Sequence, residues 1–231
     1  MLALASTVTL TACSDSDNPL TTTNDNTTVR FFNATTGRLA LDIAQNGTVE
    51  SGNGNIPFGA ASECMRVNDA NPQLSVRPAG STTALTGFTP SLAAGNTYTV
   101  LVTGTQAAPV FTTLNDQFTA SGATSAGVRI VNATTSATAG ASTWDIYVNP
   151  TATLGTPNAT ALRRNSASSF LTVPAGQANV IRLTNAGQTA RLQDITVPSL
   201  IPGMATTIVV TDAATPGGTT LQAFTLPACS T

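Results

Sequence analysis

The side chains able to do chemistry are few in this chain, and the missing types decide as much as those present. It has no histidine and no lysine, and all nine of its positive charges are arginine. A histidine general base, a Schiff-base lysine and a histidine-rich metal site are therefore excluded. Among the carboxylates, Asp42 and Asp145 stand apart because they fall at matching places in two copies of one pattern. One reading puts a carboxylate in a ligand site twice over. The plainer one has each Asp on the solvent face of its strand, or bonded to backbone amides near a turn. Period-2 alternation sets these side chains opposite Ile43 and Ile146, which favours the plainer reading. Arg30 and Arg129 also recur, and a cross-strand Asp–Arg pair within each copy accounts for both positions without a function.

Glu50, Glu63, Asp69 and Asp116 show no pairing, so a two-carboxylate glycosidase site is a weak reading. No Gly-x-Ser-x-Gly elbow and no phosphate loop is present. Ser51-Gly52-Asn53-Gly54-Asn55 lacks a third glycine and a following helix, and reads as a loop. Trp144, Tyr147 and Tyr98 would suit a sugar-binding surface, but Trp144 aligns with Leu41, which makes it a core position. The expectation is a protein with no catalytic residues, no metal, no cofactor and no enzymatic activity.

Sulfur gives the clearest chemical signal. Residues 2–12 form a short apolar run that ends in small residues before Cys13. It is too short to span a bilayer and fits the apolar part of a secretory signal. Leu10-Thr11-Ala12-Cys13 resembles the bacterial lipobox, in which the cysteine sulfur is diacylated and the cysteine becomes the new first residue. No Lys or Arg precedes the run, so the positive end of such a signal would lie upstream of Met1. The competing reading is a buried N-terminal strand with an incidental cysteine. Ser14 follows the cysteine where an Asp would signal retention, which in similar Gram-negative lipoproteins implies the outer membrane. The polar stretch to Thr27 is a tether. Its Asp15, Asp17, Asn24 and Asp25 lack the Gly and distal Glu of a calcium loop.

Cys64 and Cys229 remain, in an oxidising compartment where pairing is favoured. Their link would clamp the C-terminal tail onto the first copy. Closing a loop of roughly 165 residues would contribute about 4–5 kcal/mol by chain entropy. Otherwise Cys64 is a buried thiol and Cys229 a free one, and without a histidine neither is catalytic.

The elements that position these residues come in duplicate. Thr28 to Thr36 (Thr-Val-Arg-Phe-Phe-Asn-Ala-Thr-Thr) answers Gly127 to Thr135 (Gly-Val-Arg-Ile-Val-Asn-Ala-Thr-Thr). Leu41-Asp42-Ile43 then answers Trp144-Asp145-Ile146. A self-match at this spacing is a tandem duplication. Alternating strand runs include Val29 to Phe32, Leu41 to Ala44 and Tyr98 to Val102. In the second copy they include Val128 to Ala133, Thr143 to Asn149, Phe170 to Val173, Asn179 to Thr184, Ala190 to Val197, Thr206 to Thr211 and Thr219 to Leu226. Short strands joined by Gly, Pro and Asn turns predict an all-β protein with two tandem Ig-like antiparallel β-sandwiches. The organisation is a signal peptide over 1–12, lipidated Cys13 and tether over 13–27, one sandwich over 28–118, a linker over 119–126 and a second sandwich over 127–231.

The Val-Arg-(apolar)₂-Asn-Ala starts, the Asp strands and the turns Phe58-Gly59-Ala60-Ala61-Ser62, Ser166-Ala167-Ser168-Ser169 and Pro174-Ala175-Gly176 together resemble the bacterial family called domain of unknown function 4397. The resemblance covers about residues 28–226. The first copy departs from it at Val67-Asn68-Asp69-Ala70-Asn71-Pro72, where the family has Val-Pro-Ala-Gly. It implies a β-sandwich, a tandem arrangement and an exported location, and it implies no activity.

Only 9 % of residues are charged and the isoelectric point is near 4.8, so the basic footprint of a nucleic-acid binder is missing. The sequence thus predicts a non-enzymatic binding or structural module held at the outer membrane or cell surface by a lipid anchor, or secreted. Its expected partners are the membrane and an extracellular glycan or envelope protein. The alternatives are a carbohydrate-binding or carbohydrate-active accessory domain and a self-assembling surface or fibre subunit.

Overall fold

The computed structural model describes residues 27–67, 71–135, 143–212, 220–226 and 229. Cys13, the tether and Asp69 lie outside the described residues. No described residue is helical, and the described residues form seventeen strands. In the first half these are β1 (Thr27–Asn33), β2 (Leu41–Gln45), β3 (Thr48–Val49), β4 (Met65–Val67), β5 (Leu74–Pro78), β6 (Thr86–Phe88), β7 (Thr97–Thr105) and β8 (Ala108–Asn115). The second half begins with β9 (Ser125–Asn132), β10 (Thr143–Val148), β11 (Ala159–Arg163), β12 (Ser166–Ala167) and β13 (Leu171–Pro174). It ends with β14 (Asn179–Asn185), β15 (Arg191–Val197), β16 (Ala205–Asp212) and β17 (Leu221–Leu226).

Each half is a β-sandwich. In the first, a sheet ordered β4-β1-β7-β8 packs on one ordered β3-β2-β5-β6. In the second, β12-β9-β16-β17, with β13 also on β9, packs on β11-β10-β14-β15. Among the described strands all pairings are antiparallel except two, β1 with β7 and β9 with β16, and these occupy the same place in each half. The alternate residues Val29, Phe31, Leu41, Ile43, Val76 and Val100 fill the first sandwich. Val128, Ile130, Trp144, Ile146, Ile181 and Ile208 fill the second. Trp144 is fully buried there, on the strand that matches the one carrying Leu41.

The strands that open each half are covered on both faces. Every residue of β1 and of β9 is buried. A third core explains this: Phe32, Ala34, Leu101 and Leu114 of the first half meet Val131, Ala133, Val209 and Leu226 of the second. Residues of odd and even position on β1 therefore serve different cores, Val29 and Phe31 inward and Phe32 toward the other half. The sheets stack in four layers, with β2/β5 and β10/β14 outermost. Apolar runs on both faces of a strand are what such double coverage requires.

Candidate functional site

Most of the polar residues that recur in both halves hold backbone. Asn33 Oδ1 accepts from the Thr35 amide and hydroxyl, while its Nδ2 donates to Leu39 O at 2.8 Å and Ile56 O at 3.0 Å. Asn132 does the same with Thr134 and Leu162 O. Ser62 Oγ accepts from the Phe31 amide and Ser168 Oγ from the Ile130 amide. Each fixes a local turn against the edge of an inner strand.

Asp42 and Asp145 prove to be anchors of the same kind. Asp42 accepts from the amides of Asn55 at 2.7 Å and Gly80 at 2.8 Å. Asp145 accepts from Ala161 at 2.9 Å and Gly187 at 2.8 Å. All four donors have positive φ, between 52° and 78°. A left-handed turn aims its amide N–H inward, and a buried carboxylate with two such donors is satisfied without solvent. The carboxylates are buried rather than set on a solvent face.

The expected Asp42–Arg30 and Asp145–Arg129 pairs do not form. Strands β1 and β2 lie in different sheets, as do β9 and β10, so neither pair consists of cross-strand neighbours. The arginines point instead into the seam between the halves, where both are only 4 % exposed. Arg30 Nε donates to Thr99 Oγ1 at 2.9 Å, and Arg129 Nε donates to Thr207 Oγ1 at 3.2 Å. The two guanidiniums converge on one carboxylate. Asp116 accepts a short hydrogen bond from Arg129 Nη2 and lies 3.7 Å from Arg30 Nη2. It also accepts from Thr99 Oγ1 at 2.6 Å. Arg129 further donates to Asn115 O at 2.7 Å and lies over the Phe170 ring at 4.7 Å. Burial holds Arg30 below the ordinary guanidinium range; Asp116 opposes that shift and Arg129 adds to it.

Beside this cluster lies a cavity of ≈ 430 Å³. Arg30, Asp116, Gln117 and Thr207 give it a polar side, and Phe118, Phe170 and Met204 an apolar one. Asp116 is its only acid and Arg30 its only base among the described lining residues. Phe118 reaches it from the segment between β8 and β9, its ring tilted 58° against Phe170 at 5.4 Å and packed on Gly127. Cys229 sits at the rim, joined by a disulfide to Cys64 of the first half.

Sequence reasoning leaves Asp116 unpaired and does not single out Thr99, Thr207, Phe118 or Phe170. One signal is present: an arginine in the middle of an otherwise apolar strand, twice. Trp144, Tyr147 and Tyr98 are buried and form no exposed aromatic platform. Glu50 and Glu63 flank the loop of Gly52 and do not line the cavity.

Residues 27–139 match the model of a family described as Domain of unknown function (DUF4397). That span holds the whole first sandwich and β9 of the second, and over it the chain is DUF4397-like. No curated protein matches the chain.

Proposed function

From that likeness and the seam between the sandwiches, we propose that this protein is a non-enzymatic, lipid-anchored module of the cell envelope that binds its ligand between its two repeats. One observation carries the binding part. The repeat-equivalent Asp and Asn side chains are spent on backbone, whereas the cavity at the seam combines the charges of Arg30 and Asp116, the Thr207 hydroxyl and an aromatic wall. Cavities of this size and mixed lining are where small ligands are commonly held. The envelope part rests on Leu10 to Cys13 and on the polar tether that follows. A disulfide spanning the halves also suits an oxidising compartment.

The carbohydrate-active reading requires a second carboxylate facing Asp116. Asp116 stands alone in the described lining, so that reading has the weaker support.

The anchor is tested on protein from washed native membranes by intact mass, with and without reduction and alkylation. The expected species begins at Cys13, carries acyl chains and gains two alkyl groups only after reduction. Unlipidated protein that keeps Met1 and fractionates with the cytosol would overturn the envelope assignment.

A further inference from the structure

We propose that the turn Ile201-Pro202-Gly203-Met204 is a docking tip that seats in the surface of a phospholipid bilayer, an inference that rests on the reading of this protein as lipid-anchored. The turn leads into β16. Met204 N donates to Ile201 O at 3.1 Å across Pro202 and Gly203, and Gly203 has φ 80°. Proline second and glycine third make a type II turn, which sets Ile201 and Met204 side by side. Ile201 is 70 % exposed and Met204 45 %. The base of the turn is pinned. Leu200 packs on the second core, Gly203 N donates to Ser125 O, and Gly127 N donates to Met204 O, both bonds at 2.9 Å. The first repeat makes the matching turn without the apolar pair. There buried Leu92 answers Leu200, Gly95 at φ 76° answers Gly203, and Ala93 and Asn96 stand where Ile201 and Met204 do. The turn itself thus needs neither large side chain, and two adjacent apolar groups left in water mark a contact surface.

The place of the turn in the molecule selects the partner. Strands β1 and β7 are parallel and start together, with Thr28 beside Thr97, and β9 and β16 start together, with Gly127 beside Ala205. Thr97 lines one cavity with Gly203, Met204 and Ala205, so all four strands start at the same end of the molecule. Thr27, the first residue of β1, is at that end, and from it the chain runs back to Cys13. Residues 14–26 lie between, and a chain of that length spans at most about 50 Å. Acyl chains on Cys13 would therefore keep the end that bears the turn within that distance of the lipid. The chemistry fits as well. No residue from 195 to 211 is charged, so nothing next to the turn in the chain resists leaving water. With no arginine in that span, docking draws on apolar burial and not on anionic headgroups. Leu39 and Val110 are also exposed, but they lie toward the opposite end, near Arg38.

The test uses the full chain made without lipid by Cys13→Ser, mixed with phosphatidylcholine vesicles that carry bromine on their acyl chains. Ile201→Trp places a fluorophore at the turn and Leu39→Trp places one at the opposite end. Trp144 is fully buried in the second core and stays out of reach of the bromines. An apolar side chain seated at the interface lies about 5–10 Å deep, so the indole added at position 201 should be quenched at least about twofold, and the one at 39 not at all. Met204→Asp in the Ile201→Trp chain should abolish the quenching, and raising the salt from about 0.05 to 0.5 M should leave it unchanged. No quenching at 201, equal quenching at both positions, or quenching lost at high salt would each overturn the proposal. A dimer in solution that Met204→Asp splits, with no quenching on vesicles, would give the turn to a second copy and overturn it too. No acyl chain takes part in this experiment, so the docking turn and the anchor tested by intact mass fail separately.

Discussion

At the scale of single residues, a side chain that recurs through a duplication marks a need of the fold more readily than it marks chemistry. Asp145 makes the case. Its two oxygens hold the amides of Ala161 and Gly187, and Ala161 sits at φ 52° where an L-residue is disfavoured. The carboxylate fixes that turn, and Asp42 fixes the matching one through Asn55. Asp145→Ala is expected to lower stability by about 2–4 kcal/mol, because two amides lose a charged acceptor in a buried place. Urea unfolding should report it as a lower midpoint with an unchanged slope. A variant with wild-type stability and altered ligand binding would make Asp145 a site residue after all. Sequence alone shows that Asp42 and Asp145 are equivalent and near turns. It does not show which amides they meet, since Asn55 and Gly80 reach Asp42 from loops 13 and 38 residues away in the chain.

At the scale of elements, legibility follows alternation. Strands β10, β14 and β15 are readable because their apolar and polar residues largely alternate between clear turns, and β16 because of its apolar Ile208-Val209-Val210 run. Strands β3, β6, β11 and β12 are not, being two to five residues long, lying at or near sheet edges and being rich in small side chains. The seam escapes for a different reason. Alternation tells which residues share a face, but not that a second sheet covers it, so Arg30 looks like the polar face of a half-exposed strand. The Phe58-Gly59-Ala60-Ala61-Ser62 turn reads as a strand connection, and it is also an interface element. Phe224 of β17 lies against Phe58 at 6.0 Å and Phe32 at 5.6 Å, and a Cβ on Gly59 would collide with its ring. Gly59 also has φ 78°. Gly59→Ala should therefore cost about 2–4 kcal/mol, part from the backbone and part from the ring. In a Phe224→Ala background the ring part disappears, leaving about 1–2 kcal/mol for the backbone. The coupling measured by that double-mutant cycle separates a turn glycine from an interface glycine, and additive effects would show that the ring does not constrain it.

At the scale of the whole molecule, the two sandwiches are built to behave as one. Tandem modules commonly meet over modest, polar surfaces and move independently. Here the inner sheets share an apolar core, a buried Arg–Asp–Arg cluster crosses it, and Arg38 donates to Asp212 O at 2.8 Å across the seam. The Cys64–Cys229 disulfide then closes a loop of sequence separation 165. Its entropic contribution comes to about 4–5 kcal/mol, less whatever residual order the unfolded chain keeps. These two kinds of link are separable by experiment. The oxidised protein should unfold in a single calorimetric transition, with the van't Hoff and calorimetric enthalpies in agreement. Cys64→Ser with Cys229→Ser should lower the midpoint by several degrees and keep the single transition, because the third core survives the loss of the covalent link. Two resolved transitions in the double serine variant would mean that the disulfide, and not the packing, couples the halves. The cavity would then be a feature of the oxidised protein alone. Persistence of the single transition instead makes the seam a fixed surface whose shape does not depend on redox state. That is the condition under which Arg30 of one repeat and Thr207 of the other can line one cavity with an aromatic wall drawn from both.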